Sequence, residues 1–350
     1  MTDLAMANGY GRLALGPLRW RFHRRRLALC LLLALLVLAA AFAGLATGSG
    51  KAGLADLLAF LSGTADMTGG GLSVVGDLRL PRVLLALACG AMLGLAGAAL
   101  QTLTRNGLAD PGLLGVREGA SLAVITLIIA LPAAPLYLRP FAGMAGGLAV
   151  ALAAVAIARS LSRLRFVLVG IGLSWLLSAA ISMILVTAEV DRVQTAMVWM
   201  AGSLATASPD MLPLAFACLA VGGGVLALTA RAADTGLLGD AAARGLGVKT
   251  GQLTALRIAA PVLLTAAAVS CAGGLGFVGL VAPHLTRLAF GGGQATLLTG
   301  SALSGAGLVL AADTLGRTLF APLQIPAGIV LAVIGVPVLL ALLWRRRNQF

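Results

Sequence analysis

The chain is poor in almost everything that soluble enzymes use for chemistry. Of 350 residues only 12 are acidic, 2 are histidine and 4 are cysteine. Charged residues make up 11%, against roughly 25% in soluble domains. Cys30, Cys89, Cys218 and Cys271 each fall singly within an apolar run, so neither a disulfide framework nor a Cys/His zinc site is indicated. They read as small packing residues. No HExxH or GxSxG pattern occurs, which removes the usual signatures of an intramembrane hydrolase. The run Gly48-Ser49-Gly50-Lys51-Ala52-Gly53 looks like a phosphate-binding loop, but Leu45 stands where that pattern needs glycine and Ala52 where it needs Ser or Thr. ATP hydrolysis by that route is excluded. Aromatic residues are also scarce, at 5%, and the basic residues form short clusters between apolar runs. The net charge of +13 therefore lacks the stacking platforms of a nucleic-acid surface.

What remains is lipid-soluble. The chain is 60% hydrophobic with mean hydropathy +1.02, and its 46 glycines suit helices that pack through small residues. Apolar runs near 27–46, 80–103, 112–131, 141–158, 166–187, 211–230, 256–275, 276–290, 297–312 and 326–344 predict an all-α polytopic membrane protein of about ten transmembrane helices. The run at 276–290 is short and holds Pro283, His284 and Arg287. Charge argues for an even count. Arg24-Arg25-Arg26 and Arg345-Arg346-Arg347 flank the first and last runs, and both should stay cytoplasmic. Ten crossings then leave 19 of the 25 lysines and arginines inside and 6 outside. Residues 1–26 read as a basic cytoplasmic segment, 27–344 as the transmembrane domain and 345–350 as a cytoplasmic tail. The first run is too long for a cleaved signal and reads as an anchor.

Residues 79–115 are the most specific stretch. Arg79 and Arg82 surround Pro81, an uncharged run of about twenty residues follows, and Gly90 and Gly94 fall four apart on one helix face. Arg105-Asn106-Gly107 signals a turn, and Asp110-Pro111 restarts a helix with an N-cap and proline at its first position. This order of LPR, RNxLADP and LG resembles the permease subunits of ATP-driven importers for iron–siderophore complexes and vitamin B12, the FecCD type, with the type II importer permease fold. Val198-Trp199-Met200-Ala201-Gly202-Ser203 and Leu323-Gln324-Ile325-Pro326-Ala327-Gly328 extend the likeness. It implies a translocation subunit that is not an enzyme and carries no cofactor, with ATP and Mg on a partner. The implied partners are a cytoplasmic ATPase dimer, a second permease subunit (identical or a sister chain) and a periplasmic or lipoprotein substrate-binding protein. The implied location is a bacterial inner membrane with both termini inside. Of the ligands, the VLVGIGLSWLLSA, WMAGSL and LVAPHLTR runs look more like the ferric-siderophore branch, with cobalamin or haem as alternatives.

Two connections stand out. Residues 234–257 form the longest internal polar interruption on the cytoplasmic face. Residues 238–246 can form a short helix that Gly247 ends, with a second short helix from Thr250. By pattern alone this is an amphipathic connector. The resemblance makes Asp240, Ala243, Arg244, Gly245, Leu246, Gly247 and Val248 the knob that couples to the ATPase. At the outer ends, Arg79, Arg82 and Arg317 suit carboxylate recognition, and the resemblance implies that they dock glutamates of the binding protein. Headgroup anchoring, and an intrahelical Asp313–Arg317 pair, are the plainer readings.

Polar residues inside the runs read mainly as structural. Pro283, His284 and Arg287 sit near the cytoplasmic end of their run, where packing or contact with the ATPase outweighs a proton relay. Arg117-Glu118 departs from the small or polar residues usual after LG. Trp175, in mid-run, could line a ligand path or simply pack. A rival class, the ion-coupled secondary transporter, needs ionisable or carbonyl-lined sites near the midplane, whereas these charges gather at the run ends.

Overall fold

The computed structural model describes residues 10–15, 18–48, 53–62, 74–159 and 163–346. Residues 1–9 of the basic segment, 49–52 of the glycine-rich stretch and 347–350 of the tail lie outside the described residues. The chain opens with an antiparallel ribbon, β1 (Tyr10–Leu15) and β2 (Leu18–His23), paired from Tyr10 opposite His23 to Leu15 opposite Leu18. Everything after it is helical: α1 (Arg24–Ala46), α2 (Leu54–Ser62), α3 (Leu80–Thr104), α4 (Val116–Ala130), α5 (Leu138–Ala158), α6 (Arg163–Thr187) and α7 (Val190–Met200). There follow α8 (Leu212–Leu228), α9 (Ala230–Gly236), α10 (Asp240–Gly245), α11 (Thr250–Ala272), α12 (Val278–Ala289), α13 (Gln294–Thr318) and α14 (Ala327–Arg346). Each expected apolar run becomes one helix.

Seven of the helices described are long and apolar enough to cross a membrane. The runs expected at 112–131, 276–290 and 326–344 are not among them: α4 has 15 residues and the apolar stretch of α14 covers Ala327–Ala341. Residues 273–276 lie outside any helix, and α12 has only 12 residues, a reach of about 18 Å that is short of a ~30 Å hydrocarbon layer. The second short helix expected from Thr250 is instead the first turn of α11, which continues through Pro261 to Ala272.

The bundle is built around α3, most of whose length is buried against α11 and α13. Small residues allow this approach. A β-carbon on Gly90 would lie 2.3 Å from the carbonyl oxygen of Gly305, and one on Gly94 would lie 2.0 Å from that of Ser301. Further α12–α3 packing passes through Gly97, where a β-carbon would stand 1.8 Å from Gly279 O. By contrast α1 and α6 are largely uncovered: Leu31, Leu35, Leu168 and Met183 are all exposed. Such apolar faces suit lipid or another apolar helix.

Candidate functional sites at the two ends of the bundle

At one end, a one-turn π-helix (Val74–Arg79) leads into α3 and places Arg79 and Arg82 beside the last turns of α13. Asp313 is 1% exposed. Arg82 grips it from two sides, Nε donating to Oδ1 and Oδ2 at 3.0 and 2.9 Å and Nη2 to Oδ1 at 2.9 Å. Its Nη1 donates to Gln324 Oε1 at 3.0 Å. Arg317 reaches Asp313 more loosely, at 3.7 Å, so the intrahelical pair exists but the long-range partner is closer. Arg317 also donates to the carbonyls of Thr47 (2.8 Å) and Gly44, and Arg79 donates to that of Leu45 (2.8 Å). Arg79 and Arg317 thus pin the C-terminus of α1, where helix carbonyls lack intrahelical donors, to α3 and α13, while Arg82 ties α3 to α13.

At the other end, α9 and α10 hang below the bundle on a glycine-framed loop. Gly239 and Gly247 take left-handed φ values of 105° and 83°, letting the chain turn before and after the six-residue α10. Ala243 is fully buried and its carbonyl accepts from Val248 N at 2.9 Å, while Arg244 Nε folds back to Asp240 O at 3.1 Å. Leu237, Leu238 and Leu246 are exposed, so the knob presents an apolar tip.

The root of this knob is tied into the bundle by residues that sequence reading passed over. Asp234 Oδ1 accepts from Gln294 N at 2.9 Å, capping α13. Gln294 Oε1 accepts from the buried Arg257 (2.8 Å), and Gln294 Nε2 donates to Thr102 Oγ1 (3.2 Å). Gln101 donates to the carbonyls of Gly279 and Leu280 and accepts from Arg287 Nη1. Periodicity shows only that Gln101, Arg257 and Gln294 interrupt apolar runs. Their pairing across 37 to 192 positions leaves no local signal.

The expected turn residues sit close by. Arg105 ends α3 in the left-handed region (φ 53°), Asn106 Oδ1 accepts from Leu108 N (2.9 Å), and Asp110 Oδ1 accepts from Gly112 N (2.7 Å) ahead of a 3-10 turn at Pro111–Leu114. Burial pushes the Asp110 carboxyl above its ordinary range, against the opposing pull of the Gly112 N–H and Arg117. Pro111 packs on Gly279, and His284, 4% exposed, lies under Gly107 with Nδ1 bonded to Leu280 O at 3.1 Å. Pro283 is buried within α12. Arg117 and Glu118 form a loose pair, 3.9 Å apart, and nothing in the packing explains why a charged pair stands there. Trp175 is 77% exposed on α6, far from both clusters.

Comparison with known proteins agrees with this architecture. The sequence profile of the FecCD transport family matches residues 32–345. The Fe(3+)-citrate import system permease protein YfmE of Bacillus subtilis (strain 168) is 38% identical over 272 residues, 77% of this chain and 81% of that protein. The achromobactin transport system permease protein CbrC of Dickeya dadantii (strain 3937) is 37% identical over 326 residues, 92% of each. The hemin transport system permease protein HmuU of Yersinia pestis is 38% identical over 279 residues, 78% of this chain and 84% of that protein. A solved metal-chelate type ABC transporter in an inward-facing conformation superposes with a TM-score of 0.81 at 28% identity, covering 91% of this chain and 99% of the other. A helical membrane bundle with a capped, glycine-framed knob at one end and a buried arginine–aspartate cluster at the other, matched by one profile over nearly its whole length, belongs to the FecCD transport family.

Proposed function

We propose that this chain is the permease subunit of a binding-protein-dependent ABC importer that carries an iron–siderophore complex across the bacterial inner membrane. ATP is hydrolysed by a separate ATPase pair beneath it. The observation that carries this reading is the knob at 234–257, whose exposed Leu237, Leu238 and Leu246 stand on a root hydrogen-bonded to α3, α11 and α13. A partner that seats α10 can therefore tilt the helices at the centre of the bundle. Asp240, Ala243, Arg244, Gly245, Leu246, Gly247 and Val248 form that seat in this reading, with Asn106, Asp110, Pro111, His284 and Arg287 as its rigid neighbours.

The chain crosses the membrane ten times with both termini in the cytoplasm, α12 being a partial crossing completed by the non-helical residues before it. A second permease subunit covers the apolar face of α6, and Trp175 faces the path between the two subunits. The binding protein docks over the outer arginine cluster. Arg82 makes first contact, since its side chain keeps 14% exposure, while Arg79 and Arg317, 5% and 4% exposed, hold the platform beneath it. A haem importer is the second reading, favoured by the likeness to the hemin permease.

The test is to replace residues 240–248 with a Gly-Ser linker in the full chain and express it with its ATPase. Membrane insertion should persist, while stoichiometric capture of the ATPase and ATP-dependent uptake of the 55Fe chelate are lost. Uptake that survives the replacement refutes the assignment.

A further inference from the structure

One cavity at the outer end of the bundle belongs to neither cluster. It encloses about 300 Å³ between the start of α5, α7 and the turn after α7, and Arg139, Gln194, Thr195, Trp199, Ser203 and Thr206 line it. Among the described residues no carboxylate lines it. Arg139 is half-buried, and among the described residues no hydrogen-bond or ion-pair partner is found for its side chain or for those of Gln194 and Thr206. Arg82 and Arg317 carry the same group with most of its donors already engaged. A half-buried guanidinium without a counter-charge is costly unless something supplies one.

The backbone next to the cavity is irregular. Residues 273–276 break the helical run between α11 and the short α12, and Gly202 and Gly273 take φ values of 80° and 71°. A β-carbon on Gly273 would stand 2.0 Å from Trp199 O, so this break abuts the cavity wall directly. Broken helices within the hydrocarbon layer are tolerated where they line a cavity or are buried in protein, and in transporters such breaks mark ligand sites.

From these two observations we infer that the Arg139 cavity binds the anionic, oxygen-bearing rim of a metal chelate. The guanidinium pairs with a carboxylate or catecholate oxygen, Gln194 and Thr206 offer further donors, and Trp199 supplies an apolar wall. Its volume lies at the small end of ligand pockets, so it receives one edge of the chelate and not the whole. The inference rests on the importer reading for its ligand and sharpens it: the cargo carries negative charge.

Binding can be measured on the full-length permease alone in nanodiscs, by scintillation proximity with 55Fe-labelled ferric citrate, hemin and a ferric tris-catecholate as anionic probes. An uncharged ferric trihydroxamate serves as the neutral probe. At least one anionic probe should bind saturably, Arg139→Gln should weaken it about tenfold or more, and Arg139→Lys should stay within about threefold. The neutral probe should not respond to either change. The Gln194→Ala/Thr206→Ala double variant removes two exposed side chains, spares folding, and should cost about threefold to tenfold. Equal binding to wild type and Arg139→Gln, or no saturable binding of any anionic probe, overturns the site. So does a variant that binds chelate normally but no longer captures the binding protein, since the cavity would then hold a protein carboxylate. Loss of ATPase capture by the wild-type chain, with Arg139-dependent binding intact, instead sinks the importer reading and leaves the site standing.

Discussion

Arg82 and Arg139 each begin a helix at the same end of the bundle, and they live in opposite electrostatic circumstances. Arg82 is gripped by a carboxylate that is almost wholly buried and by a glutamine from the loop before α14. Arg139 faces a cavity with no counter-ion. One guanidinium works as a rivet, the other as an unfilled socket. Charge type and helix position alone do not separate them. What does is whether the fold itself provides the carboxylate.

That contrast can be attacked directly. The largest effect should come from Asp313→Ala, which leaves Arg82 and Arg317 facing each other without their shared anion; we expect a loss of about 3–5 kcal/mol in thermal or denaturant unfolding of the detergent-solubilised chain. Replacing both partners, Arg82→Met with Asp313→Leu, should recover most of that loss, and a double-mutant cycle reads the coupling. Arg317→Lys keeps the charge but loses the fork that spans Asp313, Thr47 and Gly44, with an expected cost of about 1–3 kcal/mol. Smallest of all, Arg139→Gln should change stability by no more than about 0.5 kcal/mol while slowing transport of an anionic chelate. A stability loss at Arg139 as large as that at Asp313 would erase the distinction between rivet and socket.

Much of the fold was legible because lipid imposes simple rules. Uncharged runs of about twenty residues, the proline and aspartate around 110, and Gly247 each announce a local event, and a helix or turn appears there. The failures share one cause, which is that long-range geometry has no local signature. The stretch 276–290 is apolar enough for a crossing, but Gly273 and Gly274 fit backbone against the turn after α7, and that contact shortens α12. Similarly, Arg79 and Arg317 look like free surface hooks until the C-terminus of α1 is seen to take up their donors. The short helix at 240–245 was readable because Gly247 and its amphipathic pattern are local. Its connection to the bundle through Gln294 was not.

The turn after α7 has one more consequence. Gly328 N donates to Gly202 O at 2.9 Å, Gly202 abuts Gly274, and Gly273 abuts Trp199, so three strands of main chain touch with no side chain between them. Side chains act as cushions that let neighbouring segments slip, and here there are none. Whatever displaces the main chain at Trp199 must also displace the first turn of α14. A molecule entering the Arg139 cavity and helix α14 are thereby mechanically one part.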